Sequence, residues 1–142
     1  MIHFNLIINR SGRVRYGKWY SQYSEAEKHK IIDEVYLGVA TRLTNSMNVF
    51  EFHDYKIVYK KYSSVYFISC IDVIDNELAN LEFIHNMVEL FNVYFENVCE
   101  LDLVFNFIKV YQAYDAAICA GEIREVGQSR LLAILKGIER LD

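Results

Sequence analysis

The 142-residue chain contains no proline, six glycines and three cysteines, and each shortage excludes a class of protein. Without proline or glycine and serine tracts, the chain is neither collagen-like nor of low complexity. Its longest apolar runs fall far short of the roughly 18 residues of a membrane span, and no signal peptide is visible. The cysteines show no Cys-x-x-Cys spacing, so we expect Cys70, Cys99 and Cys119 to be reduced core thiols in a cytoplasmic protein.

The composition that is present indicates a folded domain. Hydrophobic residues make up 53% of the chain and aromatic residues 15%, which excludes intrinsic disorder. A chain of this length forms one domain, so we assign residues 1–142 to a single unit. The net charge of −4 argues against a nucleic-acid partner, because nucleic-acid-binding domains are strongly basic.

Charge is distributed unevenly between the two halves of the chain. Residues 1–61 carry 10 basic and 6 acidic side chains, whereas residues 62–142 carry 5 basic and 13 acidic ones. The first half is therefore where we expect an acidic peptide or anionic surface to bind, although a solvated basic face without a partner fits the charges equally well.

Alternating and helical patterns predict the order ββαβββ followed by helices. Period-two alternation and turn residues predict strands over residues 2–6, 13–20, 49–52, 55–61 and 65–73, with Arg13 and Arg15 on one face of the second strand. Ser24 and Glu27 form a capping box that begins a helix running to about Arg42. Hairpins predict an antiparallel sheet, and the strand after Val65, apolar on both faces, predicts helices on both sides of it.

The later helices are more apolar than one core-facing stripe requires. Their main stripes are predicted over residues 81–98 and 104–111, and the last helix over residues 131–138. Apolar residues off the stripes are Phe83, Met87, Leu90, Leu103, Phe105 and Val110. A small domain cannot bury every side of two such helices, so we expect a large apolar contact with another chain.

No pattern of residues indicates catalysis. The sequence has no phosphate-binding glycine motif, no zinc-ligand spacing and no nucleophile elbow. The four histidines are scattered over different predicted elements. We therefore expect no enzymatic activity, no metal and no cofactor.

Several segments together resemble the small (sigma) chain of clathrin adaptor complexes. They are residues 18–20 (Lys-Trp-Tyr), 52–62 (Phe-His-Asp-Tyr-Lys-Ile-Val-Tyr-Lys-Lys-Tyr), 84–86 (Ile-His-Asn), 97–107 (Asn-Val-Cys-Glu-Leu-Asp-Leu-Val-Phe-Asn-Phe) and 121–125 (Gly-Glu-Ile-Arg-Glu). The resemblance covers essentially the whole chain, and the Val-Cys-Glu-Leu-Asp run is highly specific.

The resemblance implies a fold and a set of partners. The fold would be longin-like, an α/β (α+β) domain with a five-stranded antiparallel sheet flanked by helices. The chain would be a non-catalytic subunit of a heterotetramer, packed on a large alpha-type adaptin beside a second large chain and a medium chain. Through that complex it would reach the cytosolic face of the plasma membrane at clathrin-coated pits, with clathrin bound indirectly.

Two alternatives to the endocytic type remain open. Residues 120–124 (Ala-Gly-Glu-Ile-Arg) and the chain's end at Asp142 resemble the endocytic type, whereas residues 75–78 (Asp-Asn-Glu-Leu) also occur in the Golgi type. The second alternative is a longin-type trafficking regulatory domain without a cargo pocket, which in a SNARE would continue into a heptad helix.

The family also implies a binding site for acidic dileucine signals, [Asp/Glu]-x-x-x-Leu-[Leu/Ile], in cargo tails. The matching positions are Arg15 for the acidic residue and, around a socket for the leucines, Ser63, Val65, Val88, Asn97, Val98 and Leu103. Ser63 and Val65 stand where family members commonly carry Ala and Leu, which makes the rim more polar. Burial of one leucine side chain is worth about 1.5–3 kcal/mol, whereas an exposed Arg–carboxylate pair contributes only about 0.2–1 kcal/mol. We therefore expect the leucines to supply most of the affinity and Arg15 the selectivity.

Overall fold

A computed structural model describes residues 1–42, 48–124 and 127–137 of the chain. Its strands and helices are β1 (Ile2–Asn9), β2 (Val14–Trp19), α1 (Glu25–Ala40), β3 (Val49–Phe52), β4 (Tyr55–Tyr62), β5 (Val65–Asp72), α2 (Glu77–Phe95), α3 (Glu100–Phe105), α4 (Phe107–Ala117), β6 (Ile118–Cys119), β7 (Glu122–Ile123) and α5 (Gln128–Gly137). Two predicted positions, Glu125 of the matched segment and Ile138 of the last helix, lie outside the described residues.

The main sheet has five strands in the order β2-β1-β5-β4-β3, and every neighbouring pair is antiparallel. Helix α1 covers one face, whereas α2, α4 and α5 lie over the other. The prediction of a five-stranded antiparallel sheet between helices is confirmed. This longin-like arrangement results from the hairpin turns at residues 53–54 and 63–64, which reverse the chain between adjacent strands.

Two apolar clusters, one on each face of the sheet, form the core. The α1 face buries Leu6 and Ile8, and the opposite face buries Ile7, because successive residues of a strand point to opposite sides. Strand β1 is therefore covered on both faces, like β5 beside it. Polar Asn5 is also buried there and accepts a hydrogen bond from the Ser69 hydroxyl on β5.

Helix α1 begins with the capping box that the sequence predicts. The backbone N–H of Glu27 donates to the Ser24 hydroxyl oxygen at 3.1 Å, and the backbone N–H of Ser24 donates to the Glu27 carboxylate at 2.9 Å. Two amide groups that the helix leaves unpaired are thereby satisfied. The helix ends at Ala40, two residues before the predicted end.

The prediction that α2 needs another chain to cover its off-stripe residues is wrong. Phe83, Met87 and Leu90 are at most 3% exposed, because α2 lies between the sheet and α5 and so is covered from within the chain. The predicted third helix is in fact two helices, α3 and α4, separated at Asn106, whose backbone (φ −120°, ψ 38°) is not helical. Of the off-stripe residues predicted there, Leu103 and Val110 are each 1% exposed and so are also covered from within the chain, whereas Phe105 is 77% exposed. Phe105 and the other exposed residues of α3 and α4, described below, carry the expectation of a partner.

The prediction that all three cysteines lie in the core holds for one of them. Cys70 is buried in β5, whereas Cys99 and Cys119 are exposed. Cys99 precedes the first residue of α3, and Cys119 ends the short strand β6, so both lie at the ends of elements. Apolar neighbours in the sequence therefore do not indicate burial at these two positions.

Candidate functional site

Arg15 owes its direction to a β-bulge in the edge strand β2. The cross-strand partners are Ile8 with Val14 and Ile7 with Tyr16, so Arg15 is an extra residue without a partner on β1. The bulge places Val14 in the α1-side cluster and Tyr16 in the opposite one, although plain alternation would put both on one face. The extra residue at the edge turns the Arg15 side chain toward α3.

The guanidinium of Arg15 is held by a carboxylate of this same chain. Its Nε donates to Oε2 of Glu100, the first residue of α3, at 2.7 Å, and both side chains are about one-fifth exposed (23% and 22%). The Asn9 side-chain amide donates to the same oxygen at 2.9 Å. Hydrogen bonds from Asn9 and then from Arg15 lower the pKa of Glu100 below its ordinary value. Glu100 is thus an ionised partner of Arg15 at neutral pH.

The four apolar positions of the expected leucine socket belong to one cluster. Val65 begins β5, Val88 lies in α2, Val98 lies between α2 and α3, and Leu103 lies in α3. Each is at most 5% exposed. The structure therefore brings these four residues together, with their side chains buried in one cluster.

Two exposed polar positions, Ser63 and Asn97, lie in the segments around that cluster. Ser63 is in the turn between β4 and β5, and Asn97 lies in the link between α2 and α3. Both have left-handed backbone, with φ values of 56° and 73°, which Asn adopts more readily than Ser. Both segments are short, sharply turned connections. Ser63 lies two residues before buried Val65, and Asn97 lies directly before buried Val98.

Asn92 joins these two segments. Its side-chain oxygen accepts a hydrogen bond from the Tyr62 hydroxyl at 2.8 Å and another from the Val98 backbone N–H at 3.1 Å. Tyr62 ends β4, directly before the turn, so Asn92 ties both sides of the cluster to α2. Opening the cluster on either side requires movement against one of these bonds.

A continuous set of contacts connects Arg15 to the cluster. Asn9, which bonds Glu100, is the cross-strand partner of Val65. Glu100 and Leu103 are three residues apart on α3, a spacing at which side chains are neighbours on a helix. Reasoning from the sequence did not find the roles of Glu100, Asn9 and Asn92, because none has a local signal and Glu100 lies 85 residues from Arg15.

Helices α3 and α4 also expose a group of large apolar side chains, which we call the α3–α4 patch. Its members and their exposed fractions are Leu101 (61%), Phe105 (77%), Phe107 (53%) and Ile108 (61%). Leu101 and Phe105 are four residues apart on α3 and so lie on one side of it. A cluster of exposed Leu, Ile and Phe within eight residues is typical of a protein–protein contact rather than of free surface.

Among the described residues, no helix combines the length and apolar character needed to cross a membrane. A group of three or more His, Cys, Asp or Glu side chains arranged to hold a metal is likewise not found within residues 1–42, 48–124 and 127–137.

The whole sequence, residues 1–142, matches the family model described as "Clathrin adaptor complex small chain". The chain belongs to this family. It is 46% identical to the AP-2 complex subunit sigma of Neurospora crassa, with all of both chains covered. It is 45% identical to the AP-2 complex subunit sigma of Dictyostelium discoideum (99% of each chain) and to the AP-1 complex subunit sigma-1 of Arabidopsis thaliana (99% of this chain, 88% of the relative).

The fold also resembles that of a chain in an adaptor complex. A chain of a structure titled "Homology model of the full-length AP-3 complex in a stretched open conformation" superposes with a TM-score of 0.76 at 26% identity, over 99% of this chain and 94% of the other. The chain is thus a sigma-type small subunit of an adaptor complex, and the resemblance found in its sequence is confirmed.

Proposed function

We propose that the chain is the sigma subunit of the endocytic adaptor complex and helps bind acidic dileucine signals in the cytoplasmic tails of cargo proteins. The pairing of Arg15 with a carboxylate, beside a cluster of buried valine and leucine side chains, is the observation that carries this proposal. Such a site matches the two chemical features of the signal, one acidic residue and two adjacent apolar ones. The complex would work at the cytosolic face of the plasma membrane, in clathrin-coated pits.

The α3–α4 patch supports an obligate large subunit as the partner in that complex. At exposures of 53–77%, its four side chains are costly to leave in water, and a large adaptin of the alpha type would cover them. The patch includes Leu101 and Phe105 of α3, the helix that also carries Glu100 and Leu103. Association with the large chain and binding of cargo would then involve the same short helix. The second large chain and the medium chain would complete the tetramer.

The closed cluster supports a step that precedes signal binding. Because Val65, Val88, Val98 and Leu103 are at most 5% exposed, the two leucines of a signal can enter only after a neighbouring segment moves. The turn at Ser63 and the link at Asn97 are both exposed, and each is restrained through the hydrogen bonds of Asn92. Partner or membrane contact would select the open arrangement by binding it preferentially.

The identity of the complex can be tested by capturing the tagged chain from cells that normally express it and identifying the co-purified large subunits by mass spectrometry. Recovery of alpha-type and AP-2 large chains supports the proposal. Recovery of AP-1 large chains instead would establish the second candidate, a Golgi or endosomal adaptor, which the 45% identity to the Arabidopsis AP-1 subunit favours to the same extent as the AP-2 matches.

Signal binding is tested on the assembled complex with fluorescent peptides. A peptide with Glu four residues before Leu-Leu should bind with micromolar affinity, since two buried leucines offset the cost of association only modestly. Replacing both leucines with serine should abolish the binding. Equal binding of the two peptides would refute the proposed signal site.

A further inference from the structure

We infer that Glu100 is a built-in competitor for Arg15, which the acidic residue of a cargo signal must displace. The inference rests on the proposed function and concerns the same site. Glu100 sets how strongly the chain distinguishes an acidic signal from a neutral one, a role that the family match alone does not give it.

The geometry places a carboxylate of the chain where a signal carboxylate would bind. Glu100 Oε2 lies 2.7 Å from Arg15 Nε, a normal distance for a charge-assisted hydrogen bond. Asn9 donates to that same oxygen, and Ser64 in the turn between β4 and β5 also hydrogen-bonds the carboxylate, so donors from three segments fix it. A peptide carboxylate that bonds the guanidinium along Nε therefore has to replace Glu100 rather than join it, because two carboxylates in contact repel each other.

The pair is placed so that exchange can occur. Arg15 and Glu100 are 23% and 22% exposed, so solvent and a peptide can reach both, and neither charge is stranded in the core when they separate. Lys18, the next basic residue of β2, is paired with Asp115 at 3.7 Å and does not contact Glu100 in the described structure. Arg15 is thus the guanidinium for which the internal and the peptide carboxylates compete.

The test uses the assembled complex and two matched peptides, one with Glu and one with Gln four residues before Leu-Leu. Glu100→Gln keeps the size and polarity of the side chain but removes its charge. It should tighten binding of the Glu peptide by up to about fivefold and leave the Gln peptide unchanged, since a partly exposed charge pair contributes that order of affinity. Glu100→Asp keeps the charge but shortens the reach to Arg15, so it should give a smaller gain.

The matched control is Glu82→Gln on α2, which makes the same change in net charge at an exposed position. It should leave both affinities unchanged. Melting curves of each complex report whether the variants fold.

Each outcome decides the question. Weaker binding of the Glu peptide by Glu100→Gln would show that Glu100 positions Arg15 instead and would overturn the inference, as would equal gains for both peptides or the same gain for Glu82→Gln. If wild type binds neither peptide but Glu100→Gln binds the Glu peptide, the competitor role is supported in its strongest form. If neither wild type nor Glu100→Gln binds either peptide, the proposed signal site itself fails.

Discussion

Replacing the two most prominent residues of the α3–α4 patch should weaken assembly without unfolding the chain. Leu101→Ser and Phe105→Ser together remove apolar side chains that are 61% and 77% exposed. Nothing in the core depends on them, so the free energy of unfolding should change by less than about 0.5 kcal/mol per site. The two substitutions should therefore weaken only the association with a partner that covers these side chains.

The magnitude follows from the area that a partner can still cover. Full burial of a Leu or Phe side chain is worth about 1.5–3 kcal/mol. Scaled by the exposed fractions, the pair would contribute about 2–4 kcal/mol to association, which corresponds to roughly 30- to 1,000-fold in the dissociation constant. A loss of this size is easily measured.

The assay is a competition for the large subunit. Wild-type and variant small chains are co-expressed with a limiting amount of large chain, and their ratio in the purified complex is read by mass spectrometry. The matched control is Leu37→Ser, which removes a side chain of similar exposure (63%) from α1, on the other face of the sheet. Equal recovery of the double variant and wild type, or an equal loss for Leu37→Ser, would refute assignment of the partner to the α3–α4 patch.

Three further predictions follow from single side chains. Arg15→Ser should lower the affinity of the complex for an acidic dileucine peptide by about fivefold or less and make that affinity less dependent on salt. Fluorescence anisotropy at several ionic strengths measures both effects, and an unchanged salt dependence would exclude Arg15 from the contact. Val88 is 1% exposed, so Val88→Ala should lower the free energy of unfolding, measured with urea, by about 1–3 kcal/mol. Val88→Asp would bury a charge and should prevent folding, so it cannot report on binding alone. The pKa of Asp72 is lowered, first by its hydrogen bond with His3 (2.6 Å) and then by the hydrogen bond from the N-terminal amine. Wild type should therefore have a higher melting temperature than Asp72→Asn at neutral pH, and this difference should fade as the pH drops below about 4. A difference in melting temperature that does not change with pH would contradict this cause.

The parts of the fold that the sequence predicts correctly depend on local patterns. The strands and α1 are indicated by alternation, by two-residue turns and by a capping box that acts within four residues. These local signals predict the sheet correctly because it is built from hairpins, in which strands adjacent in sequence are also adjacent in space. The buried α2 was judged wrongly because its cover comes from α5, about 40 residues further along the chain.

The residues of the candidate site could be predicted in part, but the contacts between them could not. Resemblance to the family supplied Arg15 and the four apolar residues, and the structure gathers those four in one cluster. Strict alternation along β2 does not predict the bulge that directs Arg15, and the contact with Glu100 joins positions far apart in the chain. Neither the burial of all four residues nor the hydrogen bonds of Asn92 beside them can be predicted from residue types, because both depend on how α2, α3 and β5 pack together.

The most direct measurement is a crystal structure of the assembled adaptor complex, containing this chain, with an acidic dileucine peptide bound. We predict that the peptide's acidic side chain replaces Glu100 on Arg15 and that its leucines contact Val65, Val88, Val98 and Leu103 in an opened cluster. A peptide seated elsewhere, with the Arg15–Glu100 pair and the closed cluster intact, would contradict the account.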